Sequence, residues 1–236
     1  MLAVAAATYS AESIELLEKT LPTWVVPGVP LVIWDNGNSR QKRNWLRRQP
    51  GVSHVLGVGR NLGCHIAWNR LIMHFWIDHP EVEHLLIPNA DVAMEPNAIW
   101  EMHNLIRENT HTGFVAWPQA NCGFPVSEEG YVEEVAHECM MSNMLMWRES
   151  GVYSETMPAF SADSCKSTVA NMFGWKTRLV RGKGDGYTHL KDEQDATREQ
   201  AKHLSQCQTD NEYWGHLEGR FVQYWSKRLT HEKGAI

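Results

Sequence analysis

The chain has 236 residues, of which 43% are hydrophobic, and 22 Lys and Arg stand against 28 Asp and Glu for a formal net charge of −6. That length supports a substantial core, and the acidic balance argues against a generic polyanion binder, whose phosphate contacts need a surplus of cations. Five cysteines, odd in number and scattered over positions 64, 122, 139, 165 and 207, suggest neither a disulfide framework nor a zinc ribbon and read as reduced, mostly buried thiols.

In chain order, residues 2–7 read as a first strand, and Ser10 as the cap of a helix whose Ile14, Leu17 and Leu21 share one face before Pro22 stops it. Residues 31–34 are a second strand, closed by the polar turn Asp35-Asn36-Gly37-Asn38. Arg40, Lys42, Arg43, Arg47 and Arg48 then crowd one short stretch, which reads as a solvated helix face. Residues 52–58 predict a third strand, followed by Gly59-Arg60-Asn61-Leu62-Gly63 and a helix from about Cys64 to Trp76. A strand, a glycine turn and a helix start in that order aim backbone N–H groups and the positive helix end at an anion. Residues 84–87 form a fourth strand running into Pro88-Asn89-Ala90-Asp91, and Pro96 opens a helix carrying Ile99, Met102 and Ile106. Residues 113–117 and 143–147 read as strands, 163–173 as a helix, 177–181 as extended, and the chain after Lys191 as charged helix.

This alternation is the sequence form of repeated βαβ units. It predicts an α/β fold with a mainly parallel central sheet over residues 1–190 and a C-terminal helical appendage over 191–236. Of the eleven tryptophans, Trp24, Trp34, Trp45 and Trp76 lie beside apolar neighbours and are assigned to the core. No run approaches the roughly 18–20 apolar residues of a membrane span, and residues 1–10 lack the pattern of a signal peptide, so no span and a cytoplasmic location are expected.

In open α/β sheets, ligands gather at the carboxyl ends of strands, where Asp35, Asn61 and Asp91 fall. A carboxylate fixed at Asp91 can ligate a divalent cation that bridges a diphosphate; the same residue also reads as an Asx turn capping the next helix. Thr8-Tyr9-Ser10, Asp35-Asn36-Gly37-Asn38-Ser39, Asn61-Leu62-Gly63 with Asn69 beyond, and Asn89-Ala90-Asp91-Val92 followed by Pro96 resemble, in order and spacing, the GT-A glycosyltransferases of family 2. The likeness continues through Gly151-Val152-Tyr153, Phe160-Ser161-Ala162-Asp163, a helix ending at Gly174-Trp175-Lys176, a strand and His189, and so covers about residues 2–190.

The resemblance implies the GT-A fold and transfer of a sugar from a UDP- or dTDP-sugar donor to a hydroxyl acceptor, assisted by Mn²⁺ or Mg²⁺ and inverting the anomeric carbon. It implies a nucleotide site of Thr8, Tyr9, Asp35, Asn36, Arg60, Asn61, Gly63 and Asn89, metal ligands Asp91 and His189, and Asp163 as catalytic base. Asn89 stands where an Asp-x-Asp motif carries its first carboxylate, while Ala162 and Cys165 flank Asp163 where the family commonly carries an acidic pair. Asp163 also reads as a helix first-turn residue, and His189 as a surface histidine following Gly182, Gly184 and Gly186. The loop 183–188 reads as a lid over the donor. The acceptor is open: a saccharide or lipid-linked intermediate, a protein, or hydroxymethylated viral DNA. Tyr213, Trp214, Tyr224 and Trp225 in the C-terminal helices offer an acceptor surface or a homodimer contact. A non-catalytic nucleotide-sugar or glycan-binding module is one alternative. A sugar nucleotidyltransferase is another, although no glycine-rich basic loop follows the first strand.

Overall fold

The chain is built from the inside of one strand outward. In β1 (Leu2–Tyr9), Leu2, Val4 and Ala6 enter one core while Ala3, Ala5 and Ala7 enter the other. A strand buried on both faces belongs at the middle of a sheet covered by helices on either side, and the computed structural model has that arrangement. It describes residues 1–9, 13–37, 39–121, 123–155, 162–181 and 185–190. The readings at Ser10, Asn38, Phe160, Ser161, Gly182, Gly184 and the C-terminal appendage lie outside the described residues, as do Cys122 and the side chain of Tyr9.

With strands numbered in chain order, the main sheet runs β3 (Val52–Leu56), β2 (Leu31–Asn36), β1, β4 (His84–Pro88), β8 (Cys139–Asn143), β6 (Thr112–Ala116), β9 (Lys176–Leu179), β7 (Tyr131–Val132). β1 pairs parallel with β2 and β4, β2 with β3, and β6 with β9. β8 is antiparallel to both β4 and β6, and β7 is antiparallel to β9, so the sheet is mixed with parallel pairs in the majority. A second, two-stranded antiparallel sheet joins β5 (Val92–Met94) to β10 (Tyr187–His189).

Helices α1 (Ile14–Trp24) and α4 (Ala98–Arg107) supply Leu17, Leu21, Trp24, Ile99, Met102 and Ile106 to one core. Helices α3 (Cys64–Asp78), α5 (Met144–Ser150) and α6 (Ala162–Met172) supply the other, with Leu71, Phe75 and Trp147 wholly enclosed. Trp24 and Trp34 are buried, and Trp45 and Trp76 pack partly buried against these cores, as expected.

Three local expectations are corrected. Ser13 caps α1, its Oγ accepting from the Leu16 N–H at 3.0 Å, and Pro22 lies inside the helix. The last turn is held beyond Pro22 because the Trp24 indole donates to Val92 O at 2.7 Å. Residues 143–147 are not a strand: β8 ends at Asn143, whose side chain accepts from the Leu145 N–H at 2.9 Å and starts α5. That apolar run has no β-branched residue to favour extension past the cap.

Candidate functional site

Parallel strands β1, β2 and β4 end on one edge of the sheet, and antiparallel β8 begins there, so their terminal residues meet. Two polar turns are tied together at that edge. The Asn36 Nδ2 donates to Asn61 Oδ1 at 2.9 Å and to Gly63 O at 3.1 Å, and its Oδ1 accepts from the Leu62 N–H at 2.7 Å. Gly63, at φ 89°, leads into α3 with no side-chain cap on that helix. Asp35 is fully buried: Arg43 Nε donates to Oδ2 at 2.6 Å and the Gly37 N–H to Oδ1 at 3.2 Å. The basic stretch is thus not wholly a solvated face, because Arg43 turns inward from α2 (Arg40–Leu46) to neutralise a buried carboxylate. Thr8 is buried at the end of β1 with its Oγ1 lacking a hydrogen-bond partner among the described residues; Arg60 and Asn61 are exposed, and Asn89 is half-buried.

The pairing of β10 with β5 sets His189 opposite Val92, and the Leu190 N–H donates to Asp91 O at 2.7 Å. His189 Nδ1 then lies 3.3 Å from Asp91 Oδ2, bringing together two residues 98 positions apart. A third group joins them: Glu138 Oε2 is 3.0 Å from His189 Nε2, and the Tyr187 hydroxyl donates to Oε1 of the same carboxylate. Donation to the Asp91 carboxylate, then to that of Glu138, raises the His189 pKa to about 9 against the opposing effect of burial. Burial opposes ionisation of Glu138 too, but His189 and Tyr187 hold its pKa below the ordinary value. The imidazolium is therefore a positive charge seated between two carboxylates.

Among the described residues, no three His, Cys, Asp or Glu side chains are already spread around a cation position. Asp91 and Glu138 instead close on the imidazole between them. Two carboxylates and an imidazole nitrogen nonetheless suit Mn²⁺ or Mg²⁺ chemically, and the cluster already holds one cationic group.

Asp163, in the first turn of α6, is 29% exposed. Its Oδ1 lies 2.8 Å from His65 Nε2, and its Oδ2 accepts from the His137 N–H at 3.0 Å. Burial would raise this carboxyl, but His137 and the bonded His65 bring it down to about 2. It is ionised at neutral pH, so His65 Nε2 carries the proton that bonds it. The His137 ring, fully buried and pressed to about 4 chiefly by burial, has Nδ1 2.7 Å from the Tyr153 hydroxyl. Asn69 fixes Tyr153 in turn, donating to its carbonyl and accepting from its N–H, each at 2.9 Å. His137 and Glu138 are consecutive, so one stretch of backbone ties Asp163 to the Asp91–His189 cluster.

His65, His137 and Glu138 have no motif in the sequence, and only the strand order reveals them. No family model matches the sequence, and neither does any curated protein. Solved structures do. TarS 1–349 from S. aureus in complex with UDP-GlcNAc superposes with a TM-score of 0.59 and 14% identity, over 81% of this chain and 59% of that one. The mannosyltransferase PcManGT from Pyrobaculum calidifontis, in complex with GDP-Man and Mn²⁺, gives 0.58 and 15%, over 75% of this chain and 54% of that one. The chain thus spans little more than half the length of either. The architecture shared with them, a mixed α/β sheet flanked by helices, is the GT-A fold of the nucleotide-diphospho-sugar transferases.

Proposed function

We propose that the chain is a glycosyltransferase that moves a sugar from a UDP- or dTDP-sugar to an acceptor hydroxyl by a single, inverting displacement. The observation that carries this reading is the His137–Glu138 stretch, which joins a pinned, ionised carboxylate to an acidic cluster built around a positive charge. Further support is that the neighbouring folds were solved with UDP-GlcNAc, or with GDP-Man and Mn²⁺.

On this reading Asp91 and His189, its ring giving up one proton, would hold Mn²⁺ or Mg²⁺, which would supply positive charge to the diphosphate leaving group. Asn36 and Asn61 fix the floor of the donor crevice, Thr8 and Asp35 face the nucleobase side, and Arg43 anchors the Asp35 carboxyl. Arg60 lies at the phosphate end. Asp163 accepts the acceptor's proton as the oxygen attacks. His65 and the His137 N–H hold one lone pair on each of its oxygens, which orients the remaining ones. The favoured acceptor is a saccharide, with hydroxymethylated DNA as the second class to screen.

The test is calorimetric titration of UDP with and without Mn²⁺, on the wild type and on Asp91→Ala. Binding that requires the metal and disappears in the variant supports the assignment. Neither UDP nor TDP binding with metal present would sink it.

A further inference from the structure

We propose that Arg43 is the residue that reads the nucleobase of the donor, donating to a base carbonyl, and that Asp35 stands behind it as a positioning residue. The inference rests on the donor-site reading above and changes which group of that site meets the base. The family resemblance gives that contact to the Asp35 carboxyl, which here is closed off. Its side chain is 0% exposed, and both oxygens are taken: Oδ2 accepts from Arg43 Nε at 2.6 Å and Oδ1 from the Gly37 N–H at 3.2 Å. Thr8, its partner across the parallel pairing of β1 and β2, is fully buried as well, and so is Asn36. Arg43 differs. Its side chain is 25% exposed, so of the two partners in the ion pair only Arg43 reaches the surface. The bond to Asp35 is made by Nε, one of several donors in a planar guanidinium fork.

The corner is shaped around that fork. A Cβ on Gly57, just past β3, would lie 2.5 Å from Asp35 O and 3.4 Å from Arg43 Nη2, so a residue without a side chain lets the turn close on the pair while leaving the guanidinium its seat. Helix α2 thus delivers a donor, anchored on Asp35, to the carboxyl ends of β1 and β2. Chemistry then selects the base. A guanidinium donates and never accepts, so it favours a carbonyl on the base edge and disfavours an amino group. Uracil and thymine carry a carbonyl where cytosine carries its exocyclic amino group.

The competing role is a counter-ion that serves only to bury Asp35. Calorimetric titration of UDP, TDP and CDP with Mn²⁺ present, on the wild type, Arg43→Lys and Asp35→Asn, separates the two when the Tm of each protein is measured alongside. Lysine keeps a positive charge beside Asp35 but lacks the planar fork that can hold two acceptors at once. The wild type is expected to bind the tighter of UDP and TDP at least about 10-fold better than CDP, and Arg43→Lys to weaken that binding about 10–100-fold, with CDP binding and Tm close to wild type. Asp35→Asn is expected to weaken UDP binding with no gain for CDP. A wild type without preference, an unchanged preference in Arg43→Lys, or a loss of all three nucleotides that tracks a fall in Tm overturns the proposal while the donor site stands. So does a gain of CDP binding in Asp35→Asn, because an amide at 35 can donate to the cytosine ring nitrogen only if residue 35 touches the base itself. A wild type that binds neither UDP nor TDP overturns both.

Discussion

Asp163 is a carboxylate whose two oxygens are held by donors from different elements, His65 of α3 and the backbone of His137 just before β8. Such double anchoring fixes direction at the expense of basicity, which suits a group that must meet one hydroxyl at one angle. Asp163→Asn is expected to lower turnover by about 10²–10⁴-fold while leaving the Kd of UDP with Mn²⁺ unchanged; a proportionate loss of UDP binding would show a structural role instead. His65→Leu removes a hydrogen bond to the ionised form, so the Asp163 pKa should rise from about 2 toward the ordinary 3.8. Carboxyl-carbon NMR of the two proteins over pH 1.5–6 would measure this; coincident titrations would mean that His65 does not stabilise the anion. Asp91, Asp163 and His189 are singled out in the sequence by the order of residues around them, and the fold sets them in the turn after β4, in the first turn of α6 and at the end of β10. His65, His137 and Glu138 are not: their partners are 98, 26 and 49 residues away, and nothing beside them in the chain encodes the contact.

At the scale of elements, the site depends on β10, a strand of three residues that closes its end. Its approach is through Gly186, packed flat on Trp117: a Cβ there would lie 1.9 Å from the indole Cε2 and 2.0 Å from Cδ2. The Gly186 carbonyl accepts from the Glu95 N–H at 2.9 Å and its N–H donates to Gln119 at 3.3 Å, so the backbone has little room to retreat. Gly186→Ala should destabilise the fold by about 1–3 kcal/mol, a Tm roughly 2–12 °C lower, and should weaken Mn²⁺ binding by displacing His189. An unaltered Mn²⁺ affinity in the variant would show that β10 does not set the metal side of the site. The first four strands of the main sheet were readable in order because each alternates with an amphipathic helix or a glycine turn. Two later features were not. The run around Asn143 is apolar in both its strand and its helix, so only the capping amide marks the boundary. The pairing of β5 with β10 joins three-residue segments too short to carry a period.

Across the whole molecule, the buried histidines set the response to acid. Burial first of all presses His84 and His137 to about 4 and lowers His103, whereas their unfolded value is 6.5. Between pH 6.5 and about 4 the unfolded chain therefore binds more protons than the folded one, and stability falls as pH falls, by up to about 1.4 kcal/mol per pH unit for each group. Glu138, Glu83, Glu81 and Glu129, each lowered from 4.5, add a further loss at the acid edge of that window, so the histidines dominate its upper part. Asp163, depressed from 3.8 to about 2, gives stability that is lost only below it. Lys166, depressed by burial from 10.5 to about 7, and His189, raised from 6.5 to about 9, act above it and in opposite senses. The acid slope can thus be assigned to single rings. Among the described residues His84 Nδ1 is buried without a hydrogen-bond partner, and its ring packs 5.3 Å from that of His103, so phenylalanine preserves the contact and removes the titration. Urea unfolding of His84→Phe at pH 4.5, 5.5 and 6.5 should show a slope shallower than wild type by as much as one proton. Parallel slopes would mean that His84 is not held neutral by its burial, and the acid response would then fall to His103 and His137.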